Sequence, residues 1–138
     1  MSSATSPEDI GDTMTILVGY THTAEGAAAL RHGLAAAELA RTEVALFPLF
    51  ALNGERWPSA ELASQLQGKA RFVQPRANSP RAADELVDLG NELDAQLIVI
   101  GVRSRSRVGK MLMGSDAQAV ILGASIPVLS VKADDDEH

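Results

Sequence analysis

The chain has 138 residues, a net charge of −6, no cysteine, and a composition that is 46% hydrophobic but only 4% aromatic. That length suits one domain with a sizeable core, which aliphatic and alanine side chains must fill. The acidic balance argues against a nucleic-acid backbone as partner, the missing cysteine removes disulfides, thiol catalysis and thiolate-held zinc, and no apolar run nears the roughly 20 residues that span a bilayer.

Residues 1–12 are small, polar and acidic, with no cationic start or apolar stretch of a secretory signal. They read as a flexible leader on a cytoplasmic protein, and residues 133–138 (ADDDEH) as a solvated acidic tail. Thr15–Tyr20 (TILVGY) is a short β-branched run of the kind buried on both faces of a parallel sheet. A helix is expected over Ala24–Ala40, capped by Thr23, with Ala28, Leu30, Leu34, Ala37 and Leu39 on its apolar face. Glu43–Phe50 reads as the second strand, in which Pro48 removes one ladder donor.

The middle of the chain gives a weaker pattern: a short helix over Ser59–Gln67 and a short strand over Ala70–Val73. Trp57-Pro58 is assigned to surface packing or a partner contact. Ser79 is expected to cap a helix over Pro80–Leu93, with Pro80 at the first helical position and Ala83, Leu86, Val87, Gly90 and Leu93 on one face. Glu25, Asp84, Glu85 and Asp88 read as solvated helix faces. Leu97–Ile100 (LIVI) is a buried strand ending at Gly101; a helix over Ser115–Leu122 and a strand over Ile126–Val131 close the pattern. The alternation of strand and helix implies an α/β fold: a doubly wound, Rossmann-like, five-stranded parallel sheet with helices on both faces, forming one domain over residues 13–132.

Ligands of such sheets bind beyond the carboxyl ends of the strands, where the strand order reverses. Gly19, Tyr20 and Thr21 after the first strand, Pro48 and Leu49 after the second, and Ile100 and Gly101 after the fourth should meet there. In the next loop Arg103, Arg105, Arg107 and Lys110 place four of the chain's twelve cations within eight residues. Gly114-Ser115 then opens a helix whose free N–H groups and positive dipole end suit an anion. The same features also describe ordinary capping beside a solvated loop. A Walker A loop is excluded, because Ser104 and Met111 stand where that motif needs glycine and a hydroxyl.

Gly101-x2-Ser104-x9-Gly114-Ser115 has the spacing of the G-x2-G-x9-G-[ST] motif that universal stress proteins carry after their fourth strand. With the opening ILVGY, the DAQLIVIG approach, GKMLMGSDAQAVI and the closing IPVLSVK, the chain resembles that family over nearly its whole length. The resemblance implies ATP or AMP as ligand, with Mg²⁺ able to accompany the phosphates. Gly101 would pass the ribose and phosphates at backbone distance, with Arg103 and Ser104 following on the same loop. Gly114 and Ser115 would hold the phosphates, Gly19 and Tyr20 would flank the adenine, Leu49 would wall its face, and Ile100 would lie under the sugar. Ser104 replaces the second motif glycine, and Thr21 stands where the family has Asp. Asp116 adds a carboxylate that repels a nearby phosphate, by about 1 kcal/mol at partial exposure.

Other residues carry less. His22 reads as an exposed loop histidine able to meet a phosphate when protonated, His32 as a helix-surface residue and His138 as part of the tail. Ser104, Ser106 and Ser115 lack the elbow motif and base of a nucleophile, and no spacing suggests a metal site. The resemblance implies a homodimer through Ile126–Val131, where an apolar edge strand would otherwise stand open. The leading expectation is therefore a nucleotide-binding stress-response protein acting as a dimer, with slow ATP hydrolysis at most. The alternatives are a dimeric interaction module of the same fold without nucleotide, and a small enzyme for a phosphorylated substrate.

Overall fold

The computed structural model describes residues 15–76, 81–103 and 114–133. Its strands are β1 (Thr15–Tyr20), β2 (Glu43–Pro48), β3 (Arg71–Phe72), β4 (Leu97–Val102) and β5 (Val128–Lys132). The helices are α1 (Ala24–Ala40), α2 (Ala60–Gln65), α3 (Ala82–Glu92) and α4 (Ser115–Gly123). All five strands form one sheet in the order β3-β2-β1-β4-β5. Every pairing is parallel, with Val18 opposite Leu46 on one side and Val99 on the other. The strand order reverses between β1 and β4, which is the doubly wound arrangement.

Alternation along the central strands sends side chains into two cores. Ile16, Val18, Val44, Leu46 and Val99 face α1 and α2, with Ala28, Ala29, Leu62 and Leu66. Leu17, Ala45, Phe47, Ile98 and Ile100 face α3 and α4, with Ala83, Leu86, Ala117 and Val120. Each such large aliphatic side chain contributes about 1.5–3 kcal/mol on removal from water.

The face of α1 differs from the expected one. Its buried residues are Gly26, Ala28, Ala29, Gly33 and Ala37, whereas Leu39 is 87% exposed and Leu30 and Leu34 are half-buried. The helix lies so close to the sheet that a Cβ on Gly33 would overlap Cγ2 of Val18, so only small residues fit beneath it and the leucines flank the contact. Thr23 caps α1 as expected, its hydroxyl accepting the Gly26 N–H at 3.1 Å. Ser59 does the same for α2 through Leu62 N–H at 3.1 Å.

α3 begins later than the sequence suggested. Arg81 is extended (φ −143°, ψ 133°) and Ala82 is the first helical residue. Ser79 and Pro80, like the leader and all of the tail beyond Ala133, lie outside the described residues. Trp57, expected at the surface, is 4% exposed; its Nε1 donates to the Val73 carbonyl at 3.0 Å, and Gln74 Nε2 donates to the Trp57 carbonyl at 2.6 Å. These bonds tie the middle segment to the residues that follow β3. Among the described residues no helix is long and apolar enough to cross a membrane.

Candidate ligand-binding cleft

The sequence-derived residues gather at the carboxyl edge of the sheet but do not share one surface. A Cβ on Gly19 would stand 3.0 Å from Leu86, 3.2 Å from Leu49 and 3.3 Å from Ile100, so these four residues close the floor of the β1–β4 crevice. Ile100 is fully buried, and the Leu49 amide donates to the Tyr20 carbonyl at 2.8 Å, drawing the end of β2 towards β1. Tyr20 points to the opposite face. Its ring stands edge-on to His22 (centroids 5.1 Å apart, planes at 88°) and tilted against Trp57 at 6.1 Å, and this burial pushes its phenol above the ordinary value. Gly19 and Tyr20 thus sit across the sheet from each other.

Thr21 is drawn into the cap of α1, its Oγ1 lying 2.6 Å from Oγ1 of Thr23. Gly101 meets α1 too: a Cβ there would overlap the Glu25 carbonyl, so the first turn of α1 itself occupies the space that glycine leaves. Arg103 is exposed, and Ser104, Arg105, Arg107 and Lys110 lie outside the described residues. Gly114 is the N-cap of α4 in an extended conformation (φ −68°, ψ 164°), with no described atom within 4 Å of where a Cβ would stand. Ser115 is exposed in the first turn and Asp116 is half-buried.

A cleft of about 540 Å³ opens beside these residues, between the end of β2 and the start of α3. Phe47, Pro48, Phe50, Ala51 and Leu52 form one wall, and Pro75, Arg76, Arg81, Ala82 and Glu85 the other; Asp116 closes it from α4. Of the residues that the sequence placed at the ligand crevice, Pro48 and Asp116 line this cleft, and Leu49 lies between two of its wall residues.

Sequence reasoning missed Glu85, which was assigned to a solvated face but is 6% exposed. Its Oε2 accepts the Arg76 backbone N–H at 2.6 Å, and the Arg76 guanidinium pairs with Glu92 about two helical turns further along α3. That hydrogen bond and charge hold the Arg76 guanidinium above its usual value. A signal for Glu85 was present: it stands on the stripe Ala82, Leu86, Leu89, Leu93, where a carboxylate is out of place unless it is bonded.

With Arg76 and Arg81 against Glu85 and Asp116, the charges lining the cleft balance. A balanced, apolar-walled cleft suits a flat body with a polar edge better than a bare anion. Among the described residues no group of three His, Asp or Glu side chains could hold a metal ion.

The five-stranded parallel sheet flanked by helices places the protein among the doubly wound α/β domains. The sequence profile of the universal stress protein family matches residues 13–132. A universal stress protein of Mycolicibacterium smegmatis is 33% identical over 129 residues, covering 85% of this chain and 96% of that one. The structure of a universal stress protein from Archaeoglobus fulgidus superposes with a TM-score of 0.62 at 26% identity, covering 86% of this chain and 93% of that chain. A second from the same organism, solved in complex with dAMP, gives 0.54 at 26% identity and covers 86% and 98%. The chain belongs to the universal stress protein family.

Proposed function

We propose that the protein binds ATP or AMP and acts in the stress response of the cytoplasm as a homodimer, with nucleotide occupancy changing what the dimer presents to partners. The observation that carries this reading is the 540 Å³ cleft, which runs from the apolar end of β2 to the first turn of α4. A base in the cleft would direct its phosphates to the Gly114 and Ser115 amides, which meet no partner within helical geometry and lie at the positive end of α4. Arg103 and the following basic loop favour the anion at longer range. The dAMP complex of a relative at 26% identity supports the same ligand class. Any hydrolysis of ATP, with or without Mg²⁺, would be slow and incidental to binding.

Isothermal titration with ATP and with AMP tests this directly. Saturable heat is expected for at least one of them, and the absence of heat at about 1 mM ligand rejects the reading.

One set of observations favours the rival, a nucleotide-free dimeric module. The Thr21 hydroxyl is engaged by Thr23, and Asp116 sets a carboxylate beside the anion end of α4. That reading requires that neither nucleotide raise the melting temperature, since only a ligand bound to the folded state does so.

A further inference from the structure

Glu85 is the only buried carboxylate among the described residues, and it lines the cleft. A buried carboxylate is costly unless its oxygens are bonded. The Arg76 amide satisfies Oε2 at 2.6 Å. Two oxygens offer about four acceptor positions, so one amide bond leaves capacity for a donor brought by a ligand. On the facing wall Phe50 and Leu52 are half-buried and offer apolar surface to the flat side of a ring, with Phe47 and Pro48 fully buried behind them.

The second carboxylate of the cleft, Asp116, fixes the direction. It stands in the first turn of α4, beside the Gly114 and Ser115 amides to which the phosphates are assigned, so the base is the part of a nucleotide left for the body of the cleft, where Arg76 and Arg81 balance Glu85 and Asp116. Arg81 shares the rim, and the Arg76 guanidinium is held by Glu92.

We infer that this cleft seats the base and that Glu85 accepts a hydrogen bond from an exocyclic amino group of that base. The inference rests on the nucleotide reading above and extends it: discrimination is assigned to α3, away from the glycine-serine motif. A purine with the amino donor completes the Glu85 carboxylate. A purine without it strips water from that oxygen and returns nothing, which is the stronger form of selectivity open to a buried polar group.

The test compares AMP with purine riboside 5′-monophosphate, which carries hydrogen in place of the amino group. AMP should bind roughly tenfold to a hundredfold more tightly. Glu85→Gln should reduce that ratio to within about threefold, because the amide presents N–H to the ligand if its oxygen keeps the Arg76 bond. Ala51→Trp, at an exposed position on the cleft wall that demands little of the fold, should weaken both ligands by about tenfold or more. Equal affinity of the wild-type protein for the two ligands overturns the assignment to Glu85 while the nucleotide reading stands. Ala51→Trp binding AMP as tightly as wild type overturns the seat. Failure of the wild-type protein to bind either ligand removes the nucleotide reading itself.

Discussion

Tyr20 is the chain's one tyrosine, and it stands half-buried between His22 and Trp57 with its phenol pushed upward by burial. The burial acts by disfavouring the charged phenolate in a poorly solvated setting. The consequence for stability follows from linkage. The folded state holds the phenol proton more tightly than the unfolded state, so stability is full below the ordinary phenol value near 10 and falls as pH rises through the native value. With no second tyrosine, the tyrosinate absorbance reports this group alone. The native protein should show a midpoint above 10 that returns to about 10 in denaturant. A native midpoint at or below the denatured one would contradict the burial. The single tryptophan, Trp57, lies 6.1 Å from the same ring and gives a second optical probe of the transition.

At the scale of elements, the two glycines that bracket the basic loop separate by what surrounds them. Gly101 ends β4 where the backbone of α1 approaches, and any side chain there would overlap the Glu25 carbonyl. Gly114 opens α4 with no described atom within 4 Å of its missing Cβ. Gly101→Ala should therefore force β4 and α1 apart and cost roughly 3 kcal/mol in denaturant unfolding. Gly114→Ala should cost less than about 1 kcal/mol, the preference of an N-cap for glycine over alanine. Comparable losses for the two variants would refute the distinction. The motif spacing found both glycines but could not say which one the fold needs, because that depends on a helix some 75 residues earlier in the chain.

The same limit explains the rest of what the sequence hid. β1, the start of α1 and the order of the elements were legible because each rests on local chemistry: a β-branched run, a threonine cap, a repeating alternation of periods. Glu85 was legible only as a carboxylate on an apolar stripe; its partner was not, since the amide that satisfies it comes from the segment after β3. Trp57 was not, since its carbonyl and indole find partners at Gln74 and Val73. Leu39 misled for the converse reason: on a helix pressed against a sheet, small residues mark the contact and large ones its rim.

For the molecule as a whole, the sheet is unequally protected at its two ends. β5 pairs with β4 from Ile98–Val128 to Val102–Lys132, and among the described residues nothing pairs with its other side. Along it Val131 is buried, but Leu129 is 40% exposed and Ser130 is exposed. An open edge of five residues is a template for another strand, and the cheapest partner with matching shape is the same edge of a second copy about a twofold axis. Lys132 and the acidic residues that follow in sequence oppose this by charge, but they lie at one end of the strand. The homodimer proposed through Ile126–Val131 should accordingly sediment at twice the 14.5 kDa of one chain. Leu129→Lys adds a charge in the middle of the edge, where two copies would bring like charges together. It should shift the protein towards monomer at micromolar concentration and leave the stability of each chain's fold nearly unchanged, because Leu129 contributes little to the core. A wild-type chain that sediments as a monomer would dispose of the dimer. The cleft would not be affected by that result, since all the residues that line it belong to one chain and none of them is on β5.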